Sequence, residues 1–402
     1  MLFLANVSAL VGAVISGFIF KKHFVSSKQK LSYLCIMTLL MAATSILPLY
    51  TSSLPWLILV ISARQFLGQM VELPCQGLYV HTLGPKKSQP LIMLFHCTVA
   101  VGFLLGPLII GPFFPTSIGK NEGVCSGGLS SDSVQLNHDI QNVIESIKTP
   151  YWFMIYGHCI CAVGYLLLTR ISVPMPVFAN STITKHKAEK TGPPLIGLWP
   201  LIIFYMASCG SERLFQTMEF TFALCGPLAL SSQQAVITDD AYNGGFFVGR
   251  LASVLAVKLM KPTLMLKTSL VTCFLSTALI SWQGDQSAFL LYTGASLFGF
   301  AVSWQYGSAF SWAAQFMDVV GPRASIFTTG CSLSFFAPII GAYLFHRWSP
   351  MSIWHFNGTI VILQFFAFWK LRYIFDNQRA STYSYHELNQ MEEVNLSSEE
   401  EE

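Results

Sequence analysis

Four polar side chains recur along one mostly apolar segment at helical spacing. Gln65, Gln69, Glu72 and Gln76 are separated by four, three and four positions within the stretch 54–80. On an α-helix these spacings place all four on one face. Ionisable groups inside a membrane helix usually face a water-filled path or a partner, because a bare carboxylate is costly in hydrocarbon. We call this row of four side chains the ladder. If the segment crosses a membrane, the ladder predicts a polar wall within the protein.

The composition indicates a membrane protein. Hydrophobic residues make up 53% of the 402 residues, charged residues only 11%, and the mean hydropathy is +0.53. A soluble domain of this length carries more surface charge. The ten cysteines form no CxxC pair, so we interpret them as small core residues. The chain is therefore predicted to be an all-α polytopic membrane protein.

Apolar stretches of about 20 residues, long enough to cross the hydrocarbon core, occur repeatedly. The eleven predicted spans are 2–20, 31–50, 55–80, 90–113, 150–170, 195–223, 240–259, 264–283, 287–316, 324–345 and 351–370.

The positions of Lys and Arg orient these spans. If the loop 21–30 is cytoplasmic, seventeen of the 23 Lys and Arg residues lie inside and three lie outside, namely Lys120, Lys148 and Arg347. The remaining three, Arg64, Arg213 and Arg250, lie within spans.

An internal repeat divides the chain into two similar halves. Val11–Lys21 aligns with Val248–Lys258 at an offset of 237, and the same offset aligns Leu83–Ser88 with Val320–Ser325. At this offset the span 195–223 has no counterpart, so we expect the first half to lack its first helix.

The predicted domains follow from the repeat and the loops. They are an N-terminal bundle at 1–170 with an outer loop at 114–149, a cytoplasmic linker at 171–194, a six-helix C-terminal bundle at 195–375 and a disordered acidic tail at 376–402.

Two such halves joined by a cytoplasmic loop resemble the major facilitator superfamily, whose substrate site lies at the interface between the halves. These proteins carry a glycine-rich basic turn after the second and eighth helices. The matching structural-motif residues here are Gly17, Lys21, Lys22, Gly249, Arg250 and Lys258.

The resemblance is narrower in several segments. "GRLASVLAVKLMKPTLML" and "LFHCTVAVGFLLGPLIIGPF" look like helices eight and five of the sodium-dependent glucose transporter group, the major facilitator domain-containing 4 type. "GQMVELPCQG" and "VSWQYGSAFSW" resemble the bacterial fucose permeases. The likeness implies alternating-access transport of a small polar solute, most simply a hexose, by a membrane-embedded protein for which a monomer is favoured.

Helices one, four, seven and ten line the cavity in this fold, which implies a set of site residues. The predicted substrate-binding residues are Gln65, Gln69, Glu72, Gln76, Glu212, Gln216, Trp304, Gln305 and Trp312. Amides and carboxylates can bond sugar hydroxyls, and indoles can stack on the sugar ring. Glu72 and Glu212 are the predicted coupling-ion residues. The glucose transporter likeness favours Na⁺ and the permease likeness favours H⁺.

Structural interpretations of the same residues remain open. Membrane glutamines often only join helices by hydrogen bonds, and the alternative for Trp304 and Trp312 is packing against neighbouring helices or lipid. His96 is expected to be a hydrogen-bonded interhelical histidine, and Arg250 is expected to hold helix eight to a neighbour.

No enzyme, nucleic-acid or metal-binding motif is found, and no cofactor is predicted beyond the coupling ion. The expected partners are the solute and membrane lipids, in the plasma membrane or an endomembrane. The alternative hypothesis is a non-transporting truncated isoform or scaffold of the endomembrane system.

Overall fold

The computed structural model describes residues 2–22, 27–50, 53–110, 133–170, 195–317 and 322–399. Within these ranges the chain forms helices joined by short connections. The helices are α1 (Leu2–Lys22), α2 (Ser27–Ile46), α3 (Leu54–Ile110), α4 (Ser133–Arg170), α5 (Trp199–Cys225), α6 (Ser232–Leu259), α7 (Pro262–Gln283), α8 (Ala288–Val302), α9 (Gln305–Ala313), α10 (Pro322–Leu333), α11 (Phe336–Arg347) and α12 (Ser352–Glu399).

Helix α3 contains two of the predicted spans and turns back on itself between them. The rings of Tyr79 and Phe95 lie 6.4 Å apart, whereas sixteen residues of straight helix would separate them by about 24 Å. Helix α3 therefore does not run straight between these two rings, although its backbone is helical from Leu54 to Ile110. We call 54–79 the first arm of α3 and 90–110 its second arm.

Two other predicted spans are each divided into two helices. The span 287–316 is α8 and α9, and the span 324–345 lies within α10 and α11. At each break the chain makes tighter bonds three residues back, from Trp304 N–H to Ala301 O at 3.2 Å and from Ala337 N–H to Ser334 O at 3.1 Å. Such local 3₁₀ turns deflect a helix without ending the span.

Six stretches of the described chain are long and apolar enough to cross a membrane by length and composition. They are Lys28–Tyr50, Pro55–Gln76, Lys148–Arg170, Pro262–Gln283, Ser325–Arg347 and Ser352–Gln378. The other predicted spans are shorter as apolar runs or, like α5 and α6, carry ionisable side chains along their length.

The helices pack as two bundles with matching contacts. In the first bundle α1 packs on α3 and α2 on α4, and in the second α6 packs on α8 and α7 on α12. Helix α5 lies against α10, α11 and α12. The bundles meet where α3 contacts α6 and where α1 contacts α10.

Residues related by the 237-residue offset make the same close contacts in the two bundles. A Cβ at Gly12 would collide with the backbone oxygen of Phe66, and a Cβ at Gly249 would collide with the side chain of Ser303, the counterpart of Phe66. The buried hydroxyls of Ser16 and Ser253 also correspond, since each donates to the carbonyl oxygen three residues earlier. Glycine is needed at both positions because the packed helix also brings a backbone oxygen against each, that of Phe66 at Gly12 and that of Phe300 at Gly249.

The termini of two helices differ from the sequence-based expectations. Cys225, at the end of α5, is disulfide-bonded rather than a free core thiol, which is consistent with the outer, oxidising side of the membrane. Helix α12 continues to Glu399, where disorder was predicted from Asp376. Its Leu, Glu, Gln and Met residues have good helix propensity, which explains the extension.

Candidate functional site

Three of the four ladder residues form one hydrogen-bonded group on the first arm of α3. Gln69 Nε2 donates to Glu72 Oε2 at 3.0 Å, and Gln76 Nε2 donates to Glu72 Oε1 at 3.3 Å. Both carboxylate oxygens of Glu72 therefore accept an amide hydrogen. We call Gln69, Glu72 and Gln76 the Glu72 cluster. Gln65 is exposed at the far end of the ladder, and among the described residues no hydrogen bond joins it to the cluster.

Gln76 gives the cluster an unused acceptor. Its side chain is fully buried, and its Oε1 has no hydrogen-bond partner in the described part of the chain. A buried amide oxygen without a donor is costly. The cluster is therefore prepared to accept a hydrogen bond or to contribute an oxygen to a cation.

The Glu72 cluster faces the second bundle. The Glu72 carboxylate interacts electrostatically with Arg213 on α5 and with the Tyr306 phenol on α9. Helix α3 thus presents its charge to the surface where the two bundles meet.

Glu212 lies on the opposing surface, half-buried on α5, and Gln216 is half-buried one turn further along the same face. The Glu212 carboxylate interacts electrostatically with Arg250 on α6 and with its neighbour Arg213. The site therefore holds two carboxylates, Glu72 and Glu212, and two guanidinium groups, so its formal charges cancel.

Arg250 was expected to hold α6 to a neighbour, and its electrostatic partner Glu212 lies on the neighbouring helix α5. The side chain is 4% exposed and its guanidinium carbon lies 5.0 Å from the centre of the Phe246 ring. Its Nε and Nη1 have no hydrogen-bond partner among the described residues. Buried guanidinium nitrogens without an acceptor are rare, so the Nε and Nη1 of Arg250 can donate to a ligand and Arg250 joins the candidate site.

An aromatic group closes the site between the bundles. His96, on the second arm of α3, lies 4.7 Å from the Tyr306 ring, and Tyr306 lies 5.1 Å from the Tyr205 ring. The Tyr205 hydroxyl donates to the Tyr306 carbonyl at 3.1 Å. His96 was expected to be fully hydrogen-bonded, but its buried Nε2 has no partner in the part of the chain described.

Gln305 joins helices instead of opening into the site. It is 1% exposed, and its Oε1 accepts from Ser208 Oγ and from Gln364 Nε2, each at 2.7 Å. Its own Nε2 donates to Cys273 Sγ at 3.4 Å. All of these partners lie on helices of the second bundle, so the prediction of a substrate-binding Gln305 does not fit its geometry.

The two tryptophans also lie outside the Glu72 cluster. Trp304 is half-buried, and its indole N–H donates to the Gly249 carbonyl at 2.7 Å. Trp312 is 3% exposed and packs against Phe368 and Phe375 of α12. Both are packing residues in this structure.

The motif residues are divided between helices. Gly249, Arg250 and Lys258 lie on α6, while Gly17, Lys21 and Lys22 lie on α1 with side chains outside the described part.

One acidic pair was not predicted. Glu219 on α5 is fully buried, and neither of its carboxylate oxygens has a donor within the described ranges. The Asp239 carboxyl of α6 is its neighbour. Glu219 repeats the helical spacing of Glu212 and Gln216, but its pairing with Asp239 was missed because the helix contact that brings the two together is not visible in either segment alone.

Comparisons with known proteins are consistent with this architecture. No family model matches the chain. It is 23% identical over 186 residues to sodium-dependent glucose transporter 1 from Xenopus laevis, which covers 46% of this chain and 38% of that protein. The chain spans about two fifths to three fifths of the length of the curated relatives it matches.

Solved structures show the fold over nearly the whole chain. The major facilitator superfamily transporter FucP in the outward conformation matches with a TM-score of 0.67 and 12% identity, covering 92% of this chain and 89% of FucP. The proton:xylose symporter XylE matches with a TM-score of 0.61 and 12% identity, covering 91% and 84%. The chain has the major facilitator fold, with two pseudo-symmetric bundles, and is a multi-pass membrane protein.

Proposed function

We propose that the protein transports an uncharged, hydroxyl-rich solute of the hexose class by alternating access, coupled to Na⁺ or H⁺. The observation that carries this proposal is the Glu72 cluster facing Arg213 and Tyr306 across the surface where the bundles meet. In this fold, solute sites lie at that interface near the membrane midplane.

The chemistry of the site favours a sugar. Its formal charges cancel, so it offers no net attraction to an ionic solute. It also offers unsatisfied donors at Arg250 and an unsatisfied acceptor at Gln76, which suit a ligand whose hydroxyls both donate and accept. The half-buried Tyr306 ring supplies an apolar face for the C–H side of a sugar ring.

The named relatives support the same class. The Xenopus laevis protein is a sodium-dependent glucose transporter by name, and XylE is a proton:xylose symporter. A transporter of the glucose transporter type is therefore the specific form of the proposal.

Glu72 and Glu212 are the proposed coupling residues. A carboxylate inside the membrane can take a proton, and Glu72 with the free Gln76 oxygen can instead supply three oxygens to Na⁺. The relative's name favours sodium, and the structural neighbour's name favours protons. Ion replacement during uptake separates the two.

Ligand binding tests the solute class without requiring transport. We expect D-glucose or a related hexose to raise the melting temperature of the purified protein in detergent. Glucuronate and glucosamine, which match glucose in shape but carry charge, should have weaker effects.

The variant Gln76→Ala should lose the stabilisation by hexose, because it removes the free acceptor and one amide of the cluster. Asp240→Asn, at an exposed carboxylate of α6, is the matched control and should retain it. Equal stabilisation by neutral and charged sugars, or none by a hexose panel, would refute the assignment of solute class.

A further inference from the structure

A cavity of about 640 Å³ lies at the predicted cytoplasmic ends of α6, α7 and α12, away from the Glu72 cluster. Its lining includes four cations, Lys258, Lys261, Lys267 and Arg372, and among the described residues Asp376 is its one carboxylate. We call it the basic cavity.

The carboxylate of Asp376 is paired with Arg372. Its Oδ2 lies 3.4 Å from Arg372 Nε, one turn earlier on α12. Three lysines therefore give the basic cavity an excess of positive charge. Lys267 lies with its Nζ 5.6 Å from the Trp369 ring, which holds this ammonium at the cavity wall.

Two neutral features also suit an anion. Helix α7 begins at Pro262 in the lining, and no side chain of the described chain caps its first turn. The first backbone N–H groups of a helix have no intrahelical acceptor, so they can donate to an anion. Independently, Gln89 of α3 also lines the cavity, is 9% exposed, and its Nε2 has no hydrogen-bond partner in the described chain.

The rim of the basic cavity is apolar. Leu259, at the end of α6, lines it and is 86% exposed, and Trp369 beside Lys267 is 53% exposed. Exposed Leu and Trp side chains at the cytoplasmic membrane boundary suit acyl chains and the headgroup region. A cationic cavity with an apolar rim fits a lipid better than a free anion.

We propose that the basic cavity binds the headgroup of an inner-leaflet lipid that carries more than one phosphate. The three lysines and the start of α7 bind its phosphates, Gln89 donates its free amide hydrogen, and the acyl chains leave past Leu259. Because Gln89 belongs to the first bundle and the lysines to the second, the bound headgroup contacts both bundles at the cytoplasmic side.

Binding by the purified full chain tests this proposal. The probes are dioctanoyl phosphatidylinositol bisphosphate, inositol trisphosphate as the free headgroup, and dioctanoyl phosphatidylserine, measured by native mass spectrometry. The bisphosphate lipid should bind more tightly than the other two. The triple variant Lys258→Gln, Lys261→Gln, Lys267→Gln should bind it about 100-fold more weakly, since each lysine near anionic lipid contributes about a factor of five.

Two further variants make the result specific. Lys28→Gln with Lys370→Gln removes exposed cations outside the cavity and should leave affinity within about twofold. Gln89→Leu should weaken binding about tenfold, as expected when a charge-assisted hydrogen bond is lost. Melting temperature without lipid checks that each variant is folded.

Two outcomes would overturn the proposal. If the triple variant and the unsubstituted protein bind the bisphosphate lipid with equal affinity, the basic cavity is not its binding site. Equal binding of inositol trisphosphate and the lipid would assign the cavity to a soluble polyphosphate and reject the lipid.

Discussion

Replacing Glu72 by Gln separates a coupling role from a structural one. The substitution keeps the side-chain shape but removes the charge and places an amide where two amide donors converge. Gln76 can relieve this conflict by rotating its amide, because its Oε1 has no partner and can accept from the new Gln at position 72. The cluster then retains one or both of its hydrogen bonds.

The expected effects of this change differ greatly in size. The cost in folding free energy is about 1 kcal/mol, the value of one ordinary hydrogen bond. Concentrative uptake should be lost entirely, because the variant has no carboxylate to take the driving ion. By contrast, Glu72→Ala leaves the buried amide of Gln76 without its acceptor and should cost about 1–3 kcal/mol for that group, with a smaller cost at the half-buried Gln69.

Three assays on one preparation test this reasoning. Gradient-driven accumulation, equilibrium exchange of labelled hexose and the melting temperature are measured for Glu72→Gln, Glu72→Ala and the exposed control Asp240→Asn. Glu72→Gln should exchange but not accumulate, and only Glu72→Ala should lose much stability. Normal accumulation by Glu72→Gln would show that Glu72 has only a structural role, joining turns of α3 by hydrogen bonds.

Three further outcomes are expected. Gln305→Ala should lower the free energy of unfolding by about 2–4 kcal/mol, because donors from two helices lose their shared acceptor. The hexose affinity of the folded fraction should stay unchanged. A stable variant that cannot bind hexose would show that Gln305 belongs to the solute site. Glu219→Gln should stabilise the protein by about 1–3 kcal/mol, since its amide can donate to Asp239 where two carboxyls now meet, and a lower melting temperature would contradict this pairing. A cysteine at Lys120 should react with an impermeant reagent applied outside the cell, and one at Lys187 should react only after permeabilisation; the reverse pattern would invert the topology.

The fold could be predicted from the sequence because the bilayer imposes simple requirements. Spans need about 20 apolar residues, and cytoplasmic loops collect Lys and Arg. These rules predicted the two arms of α3, and the orientation that they favour stays a prediction. The divisions after Ser303 and Ser334 were not predictable, since a 3₁₀ turn inside an apolar run leaves the hydropathy pattern unchanged.

The site was only partly predictable. The Glu72 cluster follows from spacings of three and four residues, which place neighbours on one helix face whatever the tertiary structure. Gln305 and Trp312 have residue types that suit either a sugar site or helix packing, and only the packing of α12 against them decides between the two. Tyr306 gave no signal, because aromatic side chains make up 14% of this chain.

The central claim is that the surface between the bundles is a pathway for an uncharged, hydroxyl-rich solute. Its most direct test is uptake of labelled hexose by proteoliposomes containing the purified protein, with an inward Na⁺ gradient, an inward H⁺ gradient or neither. The account predicts accumulation above the external concentration with one of the two gradients, abolished by an ionophore that collapses that gradient. Hexose flux equal to that of protein-free liposomes under all three conditions, from protein that is folded by its melting curve, would contradict it.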